Sequence, residues 1–144
     1  MPKQVVRTYD PDRVTCTING VRVVGFNAGD SIKITRDGED WTKQPGLAGA
    51  VSRSRKHSEG GQIVFTLQQT SPFNQILTNH LALDRLTGTN LLEVQIRDTG
   101  GFDLAYSEDA WIMQDPEMTY GEESGSREWT LDCAHLTMNH GGNL

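Results

Sequence analysis

Cys133 and His135 stand two residues apart near the end of the chain, the spacing that aims strand side chains to one side. A thiolate and an imidazole so placed are ligands of the kind zinc takes, but zinc wants three or four. The other histidines, His57, His80 and His140, are scattered, so the pair reads as a packed thiol beside a surface or interface histidine. Carboxylates gather at Asp37, Glu39 and Asp40, at Glu108 and Asp109, and at Glu122 and Glu123. General acid–base work needs two carboxyls in contrasted surroundings, one raised in pKa by burial. These clusters lie in loop-like stretches where water keeps a carboxylate ordinary. Asp37-Gly38-Glu39-Asp40 lacks the longer ligand spacing of a calcium loop. Gly46-Leu47-Ala48-Gly49 lacks the Gly-Lys-Ser/Thr of a phosphate cradle, and no Gly-x-Ser-x-Gly elbow occurs. Arg53, Arg55 and Lys56 form a short basic run with little aromatic interleaving. A subunit contact with acidic loops suits it better than nucleic acid. No catalytic residue, cofactor site or metal site is expected, and the chain is not expected to be an enzyme.

The elements around these residues read mostly as β-structure. Val14–Ile18 alternates apolar and polar residues, Asn19-Gly20 follows, and residues 21–24 alternate again. That is the strongest short hairpin signal, because both turn residues tolerate positive φ. Residues 31–36 read as a third strand. Residues 37–50 show no periodicity and read as a long loop, with Trp41 and Leu47 suggesting that it docks onto something. Strands follow at 51–57 and 62–69. Ser71 as N-cap and Pro72 at the first position open one helix, over about 71–87. Phe73, Ile76, Leu77 and Leu81 form its apolar stripe, and Gly88 stops it. Strands are then expected at 91–98, 102–106, weakly at 117–120, and at 128–138. In the last one, Leu136 and Met138 have the opposite parity to Trp129, Leu131 and Cys133, which predicts a β-bulge near Ala134-His135. The prediction is a mostly β chain, a β-sandwich or barrel with one helix. Its parts are an N-terminal arm over 1–13 and a single domain over 14–144.

At 144 residues the chain suits one domain. Its net charge of −6 argues against general nucleic-acid binding. No apolar run approaches the roughly 20 residues of a membrane span, and the first ten residues lack the core of a signal peptide. Cys16 and Cys133 read as buried thiols of a reducing compartment. The expectation is a protein made in a cytoplasm and soluble until it assembles.

Three segments carry a likeness of overall pattern: Thr15-Cys16-Thr17-Ile18-Asn19-Gly20, Gly29-Asp30-Ser31-Ile32 and Gln68-Gln69-Thr70-Ser71-Pro72-Phe73-Asn74. Together with the order of elements, they resemble the tail tube (inner tube) proteins of contractile-tailed bacteriophages. Those are structural proteins similar in fold to the tube proteins of type VI secretion and of bacteriocins. The resemblance implies stacked hexameric rings, a tail sheath around them, and a tape-measure protein inside during assembly. It also implies baseplate and tail-terminator partners, a place in the virion, and DNA passing through the lumen without specific binding. On that picture Asp37, Glu39, Asp40, Trp41 and Leu47 are expected at a ring-on-ring contact. Gln62, Thr66, Gln68, Glu93 and Gln95 are expected to face the lumen. The alternatives are a tube protein of another contractile injection system and a carbohydrate-binding β-sandwich using Trp41, Trp111 and Trp129.

Overall fold

Alternation of apolar and polar side chains decides which segments become strands and which face of each is buried. The computed structural model describes residues 5–29 and 31–144. The first four residues of the expected arm, and Asp30 of the quoted 29–32 segment, lie outside the described residues. Along the chain run β1 (Val14–Ile18), β2 (Val21–Arg22), β3 (Ile32–Arg36), β4 (Trp41–Pro45), β5 (Val51–Arg55), β6 (Gly61–Gln68), α1 (Phe73–Thr87), β7 (Leu92–Asp98), β8 (Leu104–Gln114), β9 (Ser126–Cys133) and β10 (Thr137–Asn139). Before β1, Pro11–Arg13 makes one 3₁₀ turn, with the Asp10 carboxylate accepting from the Asp12 N–H.

The main sheet is antiparallel in the order β2-β1-β7-β8-β9-β6-β3, with β10 also on β8. On β6, Ile63, Phe65 and Leu67 are fully buried while Gln62, Val64, Thr66 and Gln68 face the other way. On β7, Leu92, Val94 and Ile96 point inward and Glu93, Gln95 and Arg97 outward. Each inward side chain contributes roughly 1.5–3 kcal/mol of burial. The sheet curls so that β1 and β7 on one side and β6 on the other share one core with Phe73, Leu77 and Leu81 of α1. Among the described residues, β2 and β3 end the sheet with no strand beyond them. Their outer N–H and C=O groups form open edges. A cleft of about 950 Å³ runs between the two halves, lined by apolar Val14, Cys16 and Ile34 and by polar Asp103 and His140.

The Asn19-Gly20 turn forms as its residues dictate: φ is 50° at Asn19 and 80° at Gly20, and Ile18 pairs with Val21 across it. The helix starts at Phe73, slightly later than the cap pattern suggests. Ser71 donates its hydroxyl hydrogen to the Val24 carbonyl at 2.7 Å and accepts from the Phe73 N–H at 3.3 Å, leaving Pro72 in the cap position. Gly25, at φ 80°, packs so closely on Ser71 that a Cβ there would lie 2.5 Å from its side chain. At the far end Gly88 turns left-handed and donates to the Asp84 carbonyl at 2.6 Å.

Three expectations need correction. Residues 37–50 are not one irregular loop: β4 pairs with β5 from Trp41↔Arg55 to Pro45↔Val51 as a separate two-stranded hairpin. Its side chains are nearly all exposed, so neither strand has the half-buried alternation that reveals a strand in sequence. Residues 117–120 form no strand and belong to an exposed segment between β8 and β9. The parity change at 134–135 is real, but the last strand breaks there instead of bulging. Three residues intervene on each strand between the Cys133–Ala110 and Thr137–Tyr106 pairs. β8 shifts register against β7 between the Leu92 and Val94 pairs, and against β9 between the Ile112 and Gln114 pairs.

Candidate functional site

Residues that could do chemistry are placed where they cannot do it together. Cys133 is buried, but the chain leaves strand geometry at Ala134, so His135 points to solvent. There the Asp109 carboxylate accepts from the His135 backbone N–H at 3.1 Å and bonds its imidazole Nδ1. Glu59 lies 3.9 Å from the other ring nitrogen. The hydrogen bond from Asp109 holds the His135 imidazole above its ordinary value of 6.5, and the same bond holds the Asp109 carboxyl below its ordinary 3.8. This pair clasps the break between β9 and β10 to the irregular stretch of β8. Among the described residues, no three His, Cys, Asp or Glu side chains converge as a metal would require. Cys16 and Cys133 are free thiols on strands separated by β7 and β8. Burial pushes Cys16 up to about 12 and raises Cys133 as well.

What remains are surfaces. The outward face of the main sheet gathers Gln62, Thr66 and Gln68 on β6 with Glu93 and Gln95 on β7, two strands apart. Hydroxyls and amides dominate this face. Its charges are Glu93, Glu128 and Asp132 against Arg22, Lys33 and Arg97, with Glu108 accepting from the Tyr106 hydroxyl at 3.1 Å. The second surface is the β4–β5 hairpin. Asp37, Glu39 and Asp40 lie at its root, where the Asp37 N–H donates to Gly60 and the Lys56 N–H to the Asp40 carbonyl. Leu47 sits at the tip, 96% exposed. The five residues expected to form one contact are therefore spread along the hairpin. Arg53 stacks on Trp41 with its guanidinium carbon 3.9 Å from the ring centroid, a contact of about 0.5–1 kcal/mol at an exposed site. The basic run was visible in the sequence, but its stacking on Trp41 depends on the β4–β5 register.

A further residue escaped the sequence reading. Asn74, buried in the first turn of α1, donates to the carbonyls of Gln68 and Ser71 at 3.0 and 3.1 Å and accepts from the Trp129 indole N–H at 2.9 Å. It fastens the helix to the end of β6 and to the middle of β9.

A curved antiparallel sheet with open edges, one polar face and a protruding hairpin is a shape built for contact with other chains. The profile of the bacteriophage PhiTE tail tube protein family matches residues 7–141. The chain belongs to this tail tube family. It is a structural family, not an enzyme family. The chain is also similar to structural protein ORF10 of Pseudomonas phage KPP10, at 28% identity over 94% of this chain and 83% of that protein. Among solved structures, the tail tube fold is shared with the anti-feeding prophage tube-terminating cap (TM-score 0.68, 13% identity, 96% of this chain and 95% of that one). It is shared too with a chain of an extracellular contractile injection system sheath–tube complex in its extended state (TM-score 0.65, 14% identity, 92% and 91% covered). A chain of a native gene transfer agent virion superposes with a TM-score of 0.59 at 11% identity, covering 92% of this chain and 99% of that one.

Proposed function

We propose that this tail tube protein assembles as hexameric rings, stacked into the inner tube of a phage tail through which DNA is ejected into the host. The observation that carries the reading is the pair of open edges at β2 and β3, flanking a curved sheet with a polar outward face. Edge groups left open in a monomer are satisfied when copies continue the sheet around a ring. The outward face, with Gln62, Thr66, Gln68, Glu93 and Gln95, then lines a wet lumen. The hairpin carrying Trp41 and Leu47 reaches the next ring. In this reading a contractile sheath surrounds the tube, a tape-measure protein fills it during assembly, and baseplate and terminator proteins close its ends. The protein is made in the host bacterial cytoplasm and resides in the virion tail. The likeness to a chain of a sheath–tube complex favours a second reading, a tube subunit of another contractile injection system.

Negative-stain electron microscopy of the purified protein tests the proposal. Uniform hollow tubes with sixfold end views are expected. Trp41→Ala should leave the monomer folded, by circular dichroism, but shorten or abolish the tubes. A protein that stays monomeric at high concentration under all conditions would overturn the reading.

A further inference from the structure

The β4–β5 hairpin and the segment 115–125 are opposites in charge and in place. From residue 41 to residue 58 the chain carries four cations, Lys43, Arg53, Arg55 and Lys56, and no carboxylate, while Asp37, Glu39, Asp40 and Glu59 stay at the root of the hairpin. With the whole chain at −6, everything outside that stretch stands at −10. Segment 115–125 holds Asp115, Glu117, Glu122 and Glu123 and no cation of its own, and Arg127 just beyond it donates to the Tyr120 hydroxyl at 3.3 Å. Asp115 pairs with Arg85 at 3.6 Å, while Glu117, Glu122 and Glu123 are exposed. Each side also displays apolar surface. Leu47 is 96% and Val51 62% exposed on the hairpin, and Met118 is 66% and Tyr120 70% exposed on the segment. Apolar groups ringed by charges of opposite sign are what two matching faces of an interface present.

The strand register separates the two faces. The hairpin leaves the sheet where Gly61 pairs with Cys133, and the acidic segment joins β9 where Gln68 pairs with Ser126. Those are opposite ends of the eight-residue strand β6, roughly 25 Å apart at about 3.3 Å per residue. The hairpin and the acidic segment of one chain therefore leave the sheet at opposite ends. A second copy displaced along the strand direction can bring the two kinds of surface together. Such a contact is heterologous, and repeating it makes an open stack. An isolated two-stranded hairpin is also marginal in water, so this one gains order from a surface to lie against.

We infer that the hairpin of one copy docks on segment 115–125 of the next copy, with Lys43, Arg53 and Arg55 facing Glu117, Glu122 and Glu123 around the apolar centre. This names the receiving surface for the stacking proposed above and rests on that proposal. The test reverses charge in the full chain on either side or on both: Arg53→Glu with Arg55→Glu, and Glu122→Lys with Glu123→Lys. All these residues are exposed, and circular dichroism checks that each variant folds. Pelleting of tubes near physiological salt should fall about tenfold or more for each single-sided variant, since like charges then face each other. It should return toward the parent level when both sides are reversed. Loss with the hairpin variant but not the segment variant would place the hairpin elsewhere and overturn this inference while leaving tube formation standing. So would single-sided losses that the combined variant does not repair. Normal tubes that have lost only DNA retention would reassign the cations to phosphate and overturn it too. A parent chain that forms no tubes would remove the underlying function and this contact with it.

Discussion

Asn74 has its buried amide fully engaged, and that makes it a sharp probe of the fold. Asn74→Ala would leave the Trp129 indole N–H without its partner, while the Gln68 and Ser71 carbonyls keep the backbone N–H groups of Ser71 and Asn74. Leaving buried polar groups unpaired costs roughly 1–3 kcal/mol each in measured series. The variant should lose about 1–3 kcal/mol in urea unfolding followed by tryptophan fluorescence. The apolar stripe of the same helix was legible in the sequence, because Phe73, Leu77 and Leu81 recur at helical spacing. Asn74 was not, because its partner Trp129 is fifty-five residues away and nothing local marks an amide as buried.

Strands that carry alternation were legible element by element. β6 and β7 show the pattern plainly. β5 reads as a strand over 51–57 and forms over Val51–Arg55, but its partner β4 reads as loop, since a hairpin exposed on both faces has no reason to alternate. The parity change at the end of β9 signalled an irregularity but not its partner, which lies on β8. The Asp109–His135 clasp at that place gives the paired elements a pH dependence whose sign follows from its two shifts. His135 is raised, so its contribution is complete below its ordinary 6.5 and disappears as pH rises through its folded value. Asp109 is lowered, so its contribution is complete above 3.8 and disappears as pH falls through its folded value. The clasp is at full strength between about pH 4 and 6.5. Urea midpoints measured from pH 5 to pH 9 should fall more for the parent than for His135→Ala. Parallel curves would show that the clasp does not hold this junction.

For the whole molecule, the mostly β class, the single helix and the family were legible, because strand alternation, turn residues and element order survive in one chain. Which face meets which neighbour was not, since a surface gains meaning only from a second copy. The outward sheet face has a slight acidic excess, Glu93, Glu108, Glu128 and Asp132 against Arg22, Lys33 and Arg97. In the proposed ring of six copies it would present phosphate with mild repulsion over a hydroxyl- and amide-rich lining. Replacing Glu93 and Glu128 with lysine should leave tubes intact but slow DNA ejection, most strongly at low salt where charges are least screened. Ejection at the parent rate would show that lumen charge does not set friction.

Burial of both native sulfurs has a practical consequence. A thiol titrating near 12, as Cys16 does, offers almost no thiolate at neutral pH, and thiolate is the form that attacks a maleimide. Cys133 is shielded in the same way. A single reporter cysteine placed near the end of α1, Leu86→Cys, at an exposed position away from the hairpin, could then be labelled with a dye in the otherwise unaltered chain, so that fluorescence follows each subunit as it joins a growing end.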